Sequence, residues 1–178
     1  MKRIALAVAE YLLGFLALAL FAYLAFSSGP PSDERFVFAF KVAGFVALLE
    51  MAALWWRAAP ANRLIVGANL WLVAGGLAAF TQQWWWLQAY QRLGESGLFI
   101  SMLLVGVVST AFSDLGFIGA PDERRRVLAL SIVLLLAVSV ALLVSVRFRG
   151  TVQWAAVVPV IALSWLQRLL RRLVRRPA

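Results

Sequence analysis

Four side chains able to carry charge or donate an amide fall within stretches that are otherwise apolar: Glu10, Glu50, Asn69 and Asp114. An ionisable group inside a lipid-embedded helix costs about 2.5–3.5 kcal/mol on insertion scales, so each requires a physical reason. Such groups can bind a proton, a small cation or an amine-bearing solute, or they can tie helices together by hydrogen bonds. Projected at helical spacing, Glu10 shares a face with Gly14 and Ala17, and Glu50 with Ala39, Ala43 and Ala47. Small residues let helix backbones approach, so both glutamates are expected to point into a bundle. Asn69 belongs to a series seven apart, Asn62, Asn69, Gly76 and Gln83, that follows one slowly drifting face. Asp114 stands at the edge of a small polar face made by Gly106, Ser109, Thr110 and Ser113.

Two readings of these residues stay open. Arg3 is seven residues from Glu10 and Arg57 seven from Glu50, each on the face of its glutamate. Pairing would make a satisfied interhelical network and nothing more. The other reading is a site for a proton, cation or ligand, since intramembrane ionisable groups mark function by default. Lys41 lies on the opposite face from Glu50 with Asp33 and Glu34 just beyond, and snorkelling to headgroups accounts for it.

What is missing narrows the chemistry. The chain has no His and no Cys, which removes their zinc, haem and iron–sulfur ligation as well as thiol and imidazole catalysis. No phosphate-binding glycine loop, HExxH or paired-aspartate membrane motif is present. No cofactor is therefore expected, and no enzymatic activity. A lipid-modifying enzyme would have to combine Asp114 or Glu50 with Ser109, Thr110 or Ser113, and no spacing selects that set. The net charge of +9 raises nucleic acid as a partner, but basic loops at a membrane surface explain it better.

Of all residues 63% are hydrophobic and 14% charged, with a mean hydropathy of +0.88. A soluble domain is about half apolar and roughly a quarter charged, so this surplus belongs in lipid. The expected class is all-α, a polytopic transmembrane helical bundle forming a single integral membrane domain over 1–178. Six spans are read at 4–26, 36–56, 64–83, 97–118, 127–146 and 152–170. The first imitates a secretory signal, but it is too long for one and carries Glu10, so a retained helix is expected. The sixth is interrupted by Pro159 and needs Arg168 to snorkel if it is to span. The span over 127–146 is almost wholly Leu, Val and Ile apart from Ser131, Ser139 and Ser145, which marks a lipid-facing helix.

With the N-terminus inside, 12 Lys and Arg face the cytoplasm and Arg35, Arg92, Arg147 and Arg149 face outward. Both termini are then cytoplasmic. A bacterial inner membrane fits the short loops. On these boundaries Glu10, Glu50 and Asn69 lie about six residues from the inner ends of their spans, roughly 9 Å deep, and Asp114 about four residues, roughly 6 Å. Four helices would thus contribute to one polar layer near the cytoplasmic side. The stretch 165–178 is a basic amphipathic tail, with Leu166, Leu169, Leu170, Leu173 and Val174 opposite Arg168, Arg171, Arg172, Arg175 and Arg176. Those arginines are candidates for anionic lipid or an acidic partner. The functional expectation is a ligand-binding or transport component for a small solute, cation or proton. Its alternative is a non-catalytic assembly subunit of a larger membrane complex.

Overall fold

The computed structural model describes residues 15–27, 32–56, 62–94, 96–148 and 157–174. Among these residues every regular element is a helix: α1 (Leu16–Phe26), α2 (Asp33–Trp56), α3 (Arg63–Phe80), α4 (Trp84–Leu93), α5 (Ser96–Phe112), α6 (Arg124–Arg147) and α7 (Val157–Val174). Three of them, α2, α3 and α6, are long and apolar enough to cross a membrane. Phe45, Leu48, Leu77, Leu104, Leu136 and Leu143 are each more than half exposed. Apolar surface on that scale fits a helical membrane protein, with the exposed faces turned to lipid. The all-helical class expected from hydropathy is the one found.

Local chemistry sets several helix ends. Asn62 caps α3, its Oδ1 accepting the Leu64 N–H at 3.1 Å, which satisfies one of the donors a helix start leaves open. At the other end Gln82 adopts φ +55, and the Gln83 N–H reaches back to the Ala78 carbonyl at 3.0 Å. That left-handed stop with a six-to-one bond closes the helix, although the residue holding it is not glycine. α6 opens with Arg124, Arg125 and Arg126, which oppose the positive end of the helix dipole. Two carboxylates offset them: Asp114 lies 3.0 Å from Arg124 and Asp122 3.6 Å from Arg126.

The chain divides into two compact units. The first holds the described residues before 60 together with Ala68–Arg92; the second holds 62–67 and the described residues from Leu93 onward. α3 thus gives its first turn to one unit and the remainder to the other. It is also the most enclosed of the three long helices, with 61% of its span buried against 28% for α2 and for α6. The expectation that α6 faces lipid fits this, but α2 is equally open.

In the first unit α1 packs along α2, and α2 meets α3 with almost nothing between them. A Cβ on Gly44 would stand 2.8 Å from the Leu72 carbonyl oxygen and 2.9 Å from the Gly76 Cα. Ala39, Ala43 and Ala47 of α2 are all completely buried. Above this small-residue contact sits an aromatic cluster. Phe21, Phe36, Phe40, Trp71 and Tyr90 meet edge to face or tilted, at ring separations of 4.6 to 5.5 Å.

In the second unit α5 packs on α6 and α6 on α7. α5 stops at Phe112, although apolar residues continue to Ile118. Residues 114–119 form successive turns instead, with Gly116 at φ +53 and Gly119 at φ +67. These left-handed positions cannot continue a right-handed helix. Phe117 and Ile118 within the turns are wholly buried. The turn is held by side chains: Ser131 of α6 accepts the Phe117 N–H at 2.9 Å, and Arg171 of α7 donates to the Ile118 carbonyl at 2.7 Å.

Candidate functional site

Glu50 lies six residues before the end of α2, about 9 Å along the axis. Its Oε1 accepts the backbone N–H of Ala17 at 3.0 Å. Ala17 is the second residue of α1, so this N–H is one of the four that a helix start leaves without an internal acceptor. α1 begins there because Phe15 departs from helical geometry, with φ −109 and ψ 3, and no side chain of the helix caps it. The carboxylate therefore meets the positive end of the α1 dipole.

The other oxygen, Oε2, accepts the Nδ2 of Asn69 at 2.8 Å. Asn69 is 1% exposed, and its Oδ1 is buried with no hydrogen-bond partner among the described residues. A buried acceptor left unpaired costs about 1–3 kcal/mol. Three helices converge on one carboxylate. Neither α1 nor residues 68–80 of α3 contain any Lys, Arg, Asp or Glu, so the charge of Glu50 meets only dipoles there.

The aromatic cluster adjoins this site along α3. Trp71, two residues beyond Asn69, is 7% exposed, and its Nε1 is likewise buried without a partner among the described residues. The Tyr90 hydroxyl donates to the Trp71 carbonyl at 3.2 Å. Lys41 places its Nζ 5.6 Å from the Phe80 ring centroid, a cation–π contact that adds to the snorkelling expected of it.

Of the four residues read as a polar layer, Glu50 and Asn69 are bonded to each other. Asp114 is not among their partners: it belongs to the second unit, in the turns beyond α5, where its side chain is fully exposed and pairs with Arg124. Glu10 lies outside the described residues, as do Arg3 and Arg57, which the pairing alternative invoked. Among the tail arginines, Arg168 and Arg172 are exposed, whereas Arg171 turns inward to the Ile118 carbonyl. Arg175 and Arg176 also lie outside the described residues. The α7 face that packs is Val160, Leu163, Ser164, Gln167, Leu170 and Val174, while Leu169 and Leu173 share the exposed side with Arg168 and Arg172.

Several polar roles were invisible to the projection of charged residues. Ser131 and Ser145, fourteen apart and hence on one face of α6, are both buried. Ser145 meets Ser96 at 3.3 Å, and Ser131 holds the 114–119 turns. Arg63 reaches the end of α5, donating to Ser113 Oγ at 2.6 Å and to the Ser109 carbonyl at 3.5 Å. A guanidinium on a helix C-terminus satisfies its open carbonyls and complements the dipole. The fourteen-residue serine spacing was the available signal; nothing comparable pointed to Arg63. Neither a family model, nor a curated protein, nor a solved structure matches this chain.

Proposed function

We propose that the chain is a small integral membrane protein that binds or transports a small solute, cation or proton, with Glu50 and Asn69 as the central pair. In this reading it crosses a bacterial inner membrane six times, keeps both termini in the cytoplasm, and performs no catalysis. The exposed Arg168 and Arg172 lie against anionic headgroups at the cytoplasmic surface. The observation that carries the reading is the carboxylate set at the end of α1 beside a buried amide oxygen with no partner. Most buried polar groups are paired; this pair leaves an acceptor, Asn69 Oδ1, beside the carboxylate for an incoming donor or cation.

The assembly-subunit reading has one observation in its favour. Both oxygens of Glu50 bond to neighbouring helices, which ties α1, α2 and α3 together. Reconstituted vesicles separate the two. Gradients of protons, of sodium or potassium, and of a small organic amine are imposed across vesicles holding the wild type or Glu50→Gln. Transport by the wild type that the variant loses supports the proposal. Equal transport by both, or none of the three carried by the wild type, favours the subunit.

A further inference from the structure

We infer that the ligand of the Glu50 site is the proton, and that its arrival releases the end of α1 that the carboxylate holds. This rests on the reading of Glu50 as a working site and names what it takes. No group of three or more acidic side chains able to hold a metal ion occurs among the described residues, and the bonded pair itself supplies three side-chain oxygens, two from Glu50 and the Asn69 Oδ1. A hard cation takes six or more oxygens and would have to draw at least half of them from backbone or water here. A proton requires one.

Asn69 suits both charge states of its neighbour. As the carboxylate, Glu50 accepts from Nδ2 at 2.8 Å. When an O–H bond forms at Oε2 with a proton taken from hydronium, which leaves as water, the negative charge is neutralised and the oxygen becomes a donor. A half-turn of the amide then presents Oδ1, now unpartnered, as the acceptor. Release reverses each step, and no electron changes hands. At the other oxygen, loss of charge weakens the hold on the Ala17 N–H, because a helix N-terminus favours an anion over a neutral group.

Few other charges intervene. Tyr23 is the titratable side chain of α1 and is exposed, and residues 68–80 of α3 bring none. On α2 itself Lys41 is nine residues away, with Asp33, Glu34 and Arg35 further still. Lys2, Arg3, Glu10 and Arg57 are outside the described residues.

The test uses the full chain in lipid vesicles, followed by infrared difference spectroscopy and by hydrogen exchange of peptides from α1 as pH is lowered. The expected result is a carboxyl C=O band that appears on acidification, shifts in D2O and is missing from Glu50→Gln. Exchange in the first turn of α1 should rise roughly fivefold as the band appears. Ala17→Pro removes the N–H at a helix position that tolerates proline. It should keep the band and lose the pH response of exchange, which tests the coupling even if Glu50→Gln folds poorly. A wild type that transports sodium, potassium or amine with no such band overturns the proton assignment while leaving the transport reading intact. A band without any change in α1 exchange overturns the release.

Discussion

The two units put buried polar groups to different uses. In the second, Ser131, Gln167 and Arg171 spend their hydrogen bonds on the backbone of an irregular turn, at Phe117 and Ile118. The turn needs them: non-helical backbone away from water must find partners for its N–H and C=O groups. In the first unit Glu50 satisfies a single helix N–H, and its amide partner keeps an oxygen unpaired. Ser131, Gln167 and Arg171 all serve one stretch of irregular backbone, whereas Glu50 divides its two oxygens between a helix N–H and a side-chain amide. A carboxylate whose neighbourhood remains open has capacity to spare.

That contrast can be broken in graded steps. Gly116→Ala should be the most damaging, because the site has φ +53 and an added Cβ would overlap Ser131 Oγ and lie 2.5 Å from a Val127 methyl. A left-handed alanine costs about 1–2 kcal/mol before the overlap, so about 3 kcal/mol in all is expected, read as a large fall in Tm in detergent. Ser131→Ala should follow, at about 2 kcal/mol by denaturant titration, since the Phe117 N–H is left buried and unpaired. Gln82→Gly should instead stabilise by about 1 kcal/mol, by removing a side chain from a left-handed position at the end of α3. Smallest of all, Asp114→Asn should leave Tm unchanged and transport intact, because its ion pair with Arg124 is exposed. A transport defect in that variant would restore Asp114 to the site and remove the contrast between the units.

Hydropathy made the class legible and the depth of polar groups only in part. Glu50 and Asn69 drew attention because each breaks an apolar stretch, Glu50 on a face of small residues and Asn69 in a series seven apart, and the structure bonds the two to each other. Asp114 was placed within a helix because Leu115, Phe117 and Ile118 prolong the apolar run. Hydropathy does not distinguish apolar side chains buried in protein from those facing lipid, so a buried turn reads as helix. Gly116 and Gly119 were the local warning. The α7 face was misread for a related reason. Gln167 and Arg171 look like outward residues, yet both face the protein to serve one carbonyl, leaving Leu169 and Leu173 exposed. The cap made by Glu50 on α1 had no sequence signal, since nothing in 16–26 marks where that helix begins.

Glu50→Gln bears on the central claim most directly, because glutamine has the same shape and can accept from Ala17 while donating to Asn69 Oδ1, but cannot take a proton. Thermal unfolding and vesicle transport should be measured on one preparation of this variant beside the wild type. A Tm within a few degrees of wild type together with abolished transport is the predicted result. Wild-type transport rates in the variant, or a collapse of Tm that carries the activity down with it, would show that Glu50 serves to hold helices together.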